Sequence, residues 1–265
     1  MSSLLQISDT HFGTEQPPVV EALTALARQQ RPDLIVLSGD ITQRARPAQF
    51  RAARALTDRL GLPLLAVPGN HDIPLFDLWA RLRRPYARYI AAFGADLEPV
   101  YCSPDLMVVC VNTTRAWRHK DGEISRLQID RVARLLAGAE AAQLRVVVVH
   151  QPVAVTREQD LPNLLRGHAA ALQRWAAAGA DIVMGGHIHL PYVMALEGLA
   201  RPMWVVQAGT AVSSRVRKGV PNSVNLLRWG EDSAPGCCQI EQWDFSAEDR
   251  AFVRARLSEI RPTRA

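Results

Sequence analysis

Two histidines stand one residue apart in the stretch GGHIH, residues 185–189, directly after the apolar run of residues 182–184. In an extended segment, side chains two positions apart point the same way, so His187 and His189 should project to one side. Neutral imidazole is the commonest side-chain metal ligand. The pair is therefore interpreted either as ordinary loop histidines or as part of a metal site, and the other apolar runs of the chain distinguish the two.

Four other apolar runs end in the same kinds of polar side chain. SDTHFG follows the first run, SGD the second, PGNHD the third and HQP a later one. These stretches contribute Asp9, His11, Asp40, Asn70, His71 and His150. Five of the 7 histidines thus follow apolar runs, and sites in α/β sheets form at the carboxyl ends of the strands. We therefore interpret the GGHIH histidines as metal ligands, and imidazole with carboxylate suits zinc, manganese or iron better than calcium or magnesium.

The segments between these motifs alternate between strand and helix patterns. Strands are predicted at LLQIS, DLIVLSGD, PLLAVPGNHD, LMVVCVNT, LRVVVVHQP and DIVMGG, and helices over about residues 18–31, 47–60, 125–138 and 163–178. MWVVQAG, SVNLLRW and CCQIEQWDF then indicate strands without helices between them, with GEDSAPG as a turn joining the last two. The pattern predicts one α/β domain with mixed sheet over residues 1–245, followed by a C-terminal helical tail over residues 246–265.

The composition limits the classes to which this chain can belong. Its 265 residues are 48% hydrophobic, which is sufficient for a large core. The net charge of +5 comes almost wholly from arginine, because Lys120 and Lys218 are the only lysines, and the scattered basic residues count against a nucleic-acid partner. We see neither a signal peptide nor an apolar segment of membrane-spanning length, and the cysteine spacing fits reduced thiols. We therefore expect a cytoplasmic protein with no membrane partner.

The order of the polar motifs resembles that of a known enzyme family. Asp-x-His, Gly-Asp, Gly-Asn-His-Asp, a single His and Gly-His-x-His follow one another as in the calcineurin-like metallophosphoesterases, over about residues 4–210. The resemblance implies a four-layer α-β-β-α sandwich of two mixed sheets flanked by helices. It also implies a dinuclear metal site at the carboxyl ends of the strands.

The same resemblance implies a role for each motif residue. The first metal would be held by Asp9, His11 and His189, and the second by Asn70, His150 and His187. Asp40 would bridge the two metals, and His71 would act on the substrate as the catalytic residue without binding metal. The cofactors would be two divalent ions, manganese or iron before zinc, with a bridging hydroxide as the nucleophile.

Two details of the motifs indicate which branch of the family the chain resembles. GNHD with GDITQR differs from the Ser/Thr protein phosphatases, which carry Gly-Asn-His-Glu, and is similar to the class III cyclic-nucleotide and glycerophosphodiester phosphodiesterases. Gln43 stands where many relatives carry an acid that orients the catalytic histidine, which weakens the simple assignment of His71 as a general acid. The implied activity is hydrolysis of a phosphodiester, either a cyclic nucleotide or a small organic diester. A phosphomonoesterase on the same metals, a nuclease and a non-catalytic scaffold are the alternatives.

Substrate contacts are expected from the segments between the motifs. The candidates are Arg44, Asn112, Arg115, His119 and Arg215. Residues 73–100 carry Trp79 and Tyr86 among several arginines, and form either a partial lid over the metals or a surface helix whose rings pack inward. The C-terminal tail would pack on a second subunit or fray, so a homo-oligomer is left open.

Overall fold

The computed structural model describes residues 2–230 and 236–263 of the chain. Within these ranges the strands are β1 (Ser2–Ile7), β2 (Leu34–Ser38), β3 (Leu64–Val67), β4 (Val100–Cys102), β5 (Leu106–Cys110), β6 (Leu144–Val148), β7 (Ile182–Gly185), β8 (Tyr192–Leu196), β9 (Met203–Gln207), β10 (Ser223–Trp229), β11 (Cys238–Ser246) and β12 (Ala251–Ile260). They form two six-stranded sheets, ordered β12-β11-β10-β1-β2-β3 and β4-β5-β6-β7-β9-β8. Both sheets are mixed. In the first, β1, β2 and β3 pair in parallel and the remaining pairs are antiparallel. In the second, β5, β6, β7 and β9 pair in parallel, and β4 and β8 pair antiparallel with their neighbours.

The described residues also form helices, which are α1 (Pro17–Gln30), α2 (Pro47–Leu60), α3 (Leu78–Arg83), α4 (Ala87–Phe93), α5 (Arg126–Ala137) and α6 (His168–Ala177). Helices α1, α2 and α4 pack on the first sheet through a core that includes Leu23, Phe50 and Tyr89. Helices α5 and α6 pack on the second sheet through a core that includes Val132 and Trp175. None of the helices in the described ranges is long and apolar enough to cross a membrane.

A third core lies between the two sheets. Leu34 and Val36 of β2 face it together with Val146 of β6, whereas Ile35 and Leu37 of β2 face the helices. Because side chains alternate along a strand, a strand buried on both faces carries a continuous apolar run, as β2 does from Leu34 to Leu37. The three cores separate four layers, so the α-β-β-α sandwich expected from the sequence is confirmed.

The parallel strands determine where the polar motifs meet. β1, β2 and β3 end at one edge of the first sheet, and β6 and β7 end at the corresponding edge of the second. Backbone hydrogen bonds join the loops that follow, from Asp9 N to Gly39 O at 3.1 Å and from Gly186 N to His150 O at 2.8 Å. The motif loops of each sheet are therefore fixed to one another.

Most of the predicted helices match the structure. Predictions over residues 18–31, 47–60 and 125–138 correspond to α1, α2 and α5. The fourth helix begins later than predicted, since α6 starts at His168 after a short 3-10 segment, Glu158–Asn163. Gly167, the residue before α6, has a φ of 88°, a left-handed conformation that an α-helix running on from residue 163 would not contain.

The predicted C-terminal helix is wrong. Residues Ala251–Ile260 form β12, which pairs antiparallel with β11 and sets Phe252 opposite Phe245. The apolar spacing of this segment also fits a helix, but without β12 the strand β11 would present a row of unpaired N–H and C=O groups at the edge of the sheet. Strand pairing therefore prevails over local periodicity. The predicted turn GEDSAPG includes residues 231–235, which lie outside the described residues.

Candidate metal centre

The loops after five strands bring the predicted ligands together. Asp9, His11 and His189 form one group, and Asp40, His150 and His187 form a second. Within each group the potential ligand atoms lie within 4.8 Å of one another. A third grouping of this kind joins His11, Asp40 and His71. The edge of the sandwich therefore holds nitrogen and oxygen donors of the kind that bind transition metals.

Asp40 lies between the two groups. Its Oδ1 is 3.2 Å from His150 Nε2, and its Oδ2 is 3.9 Å from His11 Nε2. On the far side of His11, His189 Nε2 lies 3.1 Å from His11 Nε2 and 3.3 Å from Asp9 Oδ1. Each oxygen of Asp40 thus faces a different histidine group, a position from which its carboxylate would be shared by two metal ions.

Several buried donor atoms at this edge lack a partner within the described chain. They are His11 Nδ1, Asn70 Oδ1 and His187 Nδ1. His150 Nδ1 lies 2.8 Å from the carbonyl oxygen of Ser38, and a carbonyl only accepts, so Nδ1 keeps its proton and Nε2 is the nitrogen that would bind a metal ion. Buried polar atoms are normally satisfied, so this donor set fits metal ions.

Neighbouring charges keep both carboxylates of the cluster ionised. Burial raises the pKa of Asp9, but His189 and His150 lower it to about 2 overall. The pKa of Asp40 is also held well below its usual range, because the raising effect of burial is outweighed by His150 and other histidines. Metal ligands must be deprotonated, so both carboxylates are ready to bind at neutral pH.

The imidazoles of the cluster differ in the direction of their pKa shifts. Burial lowers the pKa of His11 to about 3, and burial together with His150 lowers that of His187 to about 4. Burial also lowers the pKa of His150, but the carboxylate of Asp40 raises it to about 9. His11 and His187 are therefore neutral and ready to ligate, whereas an ion binding at His150 displaces a proton.

The backbone is strained at these same positions. Positive φ angles, uncommon for residues with a side chain, occur at Asp9 (51°), His11 (41°), Asp40 (48°), His187 (73°) and His189 (55°). Such conformations cost free energy and persist where the surrounding structure enforces them, which is frequent at functional sites.

Glycines allow the motif loops to approach closely. A Cβ on Gly39 would lie under 3.0 Å from the ring of His150, and one on Gly186 would lie under 3.0 Å from Asp9 Oδ2. A Cβ on Gly69 would meet the backbone nitrogen of Asp40 at a similarly forbidden distance. The glycines of the SGD, PGN and GGH motifs are therefore spatial requirements of the cluster.

We expect Gly69→Ala to destabilise the fold by about 1–3 kcal/mol, the usual range for overpacking, and to reduce metal binding. The reason is that the backbone of Asp40 cannot move away from the added methyl group without moving its carboxylate. Urea unfolding and metal analysis after reconstitution measure the two effects. Gly138→Ala is the matched control, because Gly138 has φ −91° and its nearest neighbour to an added Cβ is Leu135 O at 3.5 Å. Equal behaviour of the two variants would contradict the spatial requirement at Gly69.

Asp72 is a residue of the site that the sequence reasoning did not assign. Its buried carboxylate accepts hydrogen bonds from Ile41 N at 3.0 Å, Gly69 N at 2.8 Å, and both the N and Oγ1 of Thr42 at 2.8 Å. Burial and the charge of Asp40 raise the pKa of Asp72 to about 6, against the effect of these hydrogen bonds. Asp72 joins the loop that carries Asp40 to the turn that follows β3. Its presence in the GNHD motif was the available signal.

His71 lies beside the cluster and contacts the polar side chains around it. Its backbone N donates to Asp40 Oδ1 at 2.8 Å, and its ring lies 4.8 Å from that of His11, centroid to centroid. Its Nδ1 lies 2.9 Å from the carbonyl oxygen of Gln43, and its Nε2 lies 3.3 Å from Arg215 Nη1. The structure therefore brings Arg215, one of the predicted substrate contacts, next to His71.

The other predicted substrate contacts divide between the site and its surroundings. Arg44 and His119 line a cavity together with Asn70 and His71. Asn112 Oδ1 instead accepts hydrogen bonds from the N and Oγ1 of Thr114. Arg115 donates to the carbonyls of Asn112 and Thr114 and to Gln128 Oε1. These contacts place the side chains of Asn112 and Arg115 within their own loop and against α5.

The segment over residues 73–100 contains α3 and α4 and borders the cavity through Ile73 and Leu75. Tyr86 donates to the carbonyl oxygen of Thr114, so one ring is anchored. The apolar side chains that are exposed on this segment include Phe76, Leu78, Trp79 and Leu82. The expectation that its rings pack inward is therefore met for Tyr86 but not for Trp79.

With this geometry in place, the chain can be compared with known proteins. The profile of the calcineurin-like phosphoesterases matches residues 2–191, and the chain belongs to this family of hydrolases. The resemblance expected from the motifs is thereby confirmed at the level of the family.

Individual relatives carry more specific names. A probable cyclic nucleotide phosphodiesterase from Synechococcus sp. is 28% identical over 207 residues, covering 72% of this chain and 74% of that protein. A glycerophosphodiester phosphodiesterase, GpdQ, from Enterobacter lignolyticus is 39% identical over 82 residues, covering 26% of this chain and 29% of that protein. A solved dimetal phosphatase from Danio rerio superposes with a TM-score of 0.73 over 99% of both chains at 14% identity, which shows a shared fold.

Proposed function

We propose that this protein hydrolyses a small phosphodiester with the help of two divalent metal ions. Asp9, His11 and His189 hold one ion, Asn70, His150 and His187 hold the other, and Asp40 bridges them. The observation that carries the proposal is the position of Asp40, whose two oxygens face different histidine groups. When bound, such an ion pair supplies a nucleophile at neutral pH and neutralises charge on the phosphate oxygens.

The charge of the metal-loaded site and of its neighbours favours an anionic ester. Two divalent ions bring four positive charges and the two cluster carboxylates bring two negative ones, so the site remains cationic. Arg44 and His119 line the adjoining cavity and add donors for phosphate oxygens. Manganese and iron suit the mixed nitrogen and oxygen donors, and zinc is also compatible with them.

The choice of a diester rests on the relatives and on the position of His71. The relatives named for cyclic nucleotide and glycerophosphodiester hydrolysis match this chain at 28% identity over 72% of its length and at 39% identity over 26% of its length, which supports a cyclic nucleotide or a small organic diester as the substrate. His71 lies beside the cluster, with its ring edge-on to that of His11, where it would act on a bound ester. The exposed rings of Phe76 and Trp79 fit a partial lid that contacts the base or alkyl group.

Wild-type protein reconstituted with manganese is expected to hydrolyse bis(4-nitrophenyl) phosphate faster than 4-nitrophenyl phosphate. His71→Ala should lower kcat on the diester by about 100-fold, a typical contribution of a side chain that acts directly on the reacting group. Its metal content should be unchanged. The measurement compares kcat and KM for both esters, with metal analysis of each preparation.

His168→Ala is the matched control, because the Nδ1 of His168 lies 2.8 Å from Leu165 O at the start of α6, apart from the cluster. It should retain wild-type rates. A faster monoester rate in the wild type would replace the proposal with a phosphomonoesterase. Equal rates in His71→Ala and wild type would remove His71 from the reaction.

A further inference from the structure

The contacts around His71 fix the direction of each hydrogen bond. A carbonyl oxygen only accepts, so Nδ1 of His71 donates to Gln43 O at 2.9 Å. A guanidinium only donates, so Nε2 of His71 accepts from Arg215 Nη1 at 3.3 Å. In this arrangement Nε2 carries no proton, and the donor nearest to it is the arginine.

Gln43 holds Arg215 without neutralising its charge. Arg215 Nη1 donates to Gln43 Oε1 at 2.8 Å, a contact with a neutral amide. Arg217, two residues along the same loop, lies 3.0 Å from both carboxylate oxygens of the buried Asp160. The loop thus carries one arginine paired with an acid and one that keeps its positive charge beside His71. An acid at position 43 would pair with Arg215 in the same way as Asp160 pairs with Arg217.

On the basis of the proposed function, we propose that Arg215 stabilises the leaving oxygen of the ester and that Gln43 positions it. As a water-derived oxygen bonds to phosphorus, the ester P–O bond breaks and its electron pair stays on the leaving oxygen. The Arg215 guanidinium donates a hydrogen bond to that oxygen through an N–H other than the two of Nη1 that contact Gln43 and His71, and the oxygen then takes its proton from water. Charged donors aimed at developing negative charge are among the larger contributions to catalysis.

This assignment makes the effect of Arg215 depend on the leaving group. A nitrophenolate leaves readily without help, whereas an alkoxide carries a more concentrated charge and needs a donor. For Arg215→Gln we expect a small loss of kcat on bis(4-nitrophenyl) phosphate and a loss on the order of 100-fold on a diester with an alkyl leaving group. The plot of log kcat against the pKa of the leaving alcohol should become steeper.

Gln43→Glu tests whether Gln43 positions Arg215. The new carboxylate pairs with Arg215 and should steepen the same plot, with no further steepening in the double variant Gln43→Glu/Arg215→Gln. Gln43→Asn retains the amide and should remain closer to the wild type. Arg54→Gln is the control, because Arg54 forms an exposed ion pair with Asp58 on α2. Metal content is measured for every variant.

The results separate this proposal from the proposed function. Wild-type activity on diesters with an unchanged slope in Arg215→Gln would overturn the role of Arg215 alone. An equal loss on every leaving group, with a raised KM, would assign Arg215 to phosphate binding instead. If the wild type hydrolyses only monoesters, the diester proposal fails, and the same series of leaving groups tests Arg215 on monoesters. A wild type inactive on both series would overturn both proposals.

Discussion

Asp40→Asn is expected to lower kcat on phosphodiesters by more than about 10⁴-fold, beyond what a single general acid supplies. Among the ion pairs of the described residues, Asp40 is the carboxylate whose oxygens face both histidine groups, at 3.2 Å from His150 and 3.9 Å from His11. Its loss weakens both proposed metal positions at once. Asparagine tolerates the positive φ of 48° at this position, so the backbone can persist while the charge is removed.

Metal analysis after reconstitution distinguishes loss of metal from loss of fold. We expect Asp40→Asn to retain the circular dichroism of the wild type and to bind one equivalent of metal or less. Asp58→Asn is the control, since Asp58 is exposed and pairs only with Arg54 on its own helix among the ion pairs of the described residues. Full metal content with undiminished activity in Asp40→Asn would refute the bridging role.

Asp72→Ala should have the largest effect on stability. Its carboxylate accepts three backbone N–H donors, from Ile41, Thr42 and Gly69, together with the hydroxyl of Thr42. Truncation leaves these donors buried without a partner, and each such group costs about 1–3 kcal/mol. We therefore expect the free energy of unfolding to fall by at least about 3 kcal/mol.

The measurement is urea unfolding in the presence of a chelator, so that lost metal binding does not contribute to the difference. The loops carrying Asp40 and Asn70 should also separate, so reconstituted Asp72→Ala should bind less metal. Asp130→Ala is the control, because Asp130 of α5 forms a solvent-exposed pair with Arg174 of α6 at 3.6 Å. A change in stability no larger than that of the control would show that the loops are held by other contacts.

The sequence predicted the elements that carry a clear local signal. Helix α2 matches its predicted bounds because Phe50, Ala53 and Leu56 repeat at helical spacing between Pro47 and Gly61. The strands before each motif were identifiable because burial on both faces gives them an apolar run, over Leu34–Leu37 in β2 and Val146–Val148 in β6. The strand β12 was missed because its apolar residues fit both periods, and only its partner β11 decides between them.

The residues of the candidate site also fall into those that the sequence predicted and those that it did not. The residue types that gather at the edge of the sheets could be predicted, because parallel strands place their following loops together. Asn112 and Arg115 were expected near the substrate, but their polar atoms are engaged within the loop and with Gln128 of α5. No periodicity indicates such contacts, since they depend on the path of a loop.

By itself the sequence determined the order of strands and motifs, the donor types, and the family to which this chain belongs. The motif resemblance also implied Asp40 as a bridge, but only the tertiary structure decided that Asp72 joins the loops of the site and that Gln43 and Arg215 meet at His71. The physical reason is distance along the chain. Local periodicity reports which face of an element is buried, whereas Gln43 and Arg215 lie 172 residues apart and meet only when the loops after β2 and β9 fold onto one edge.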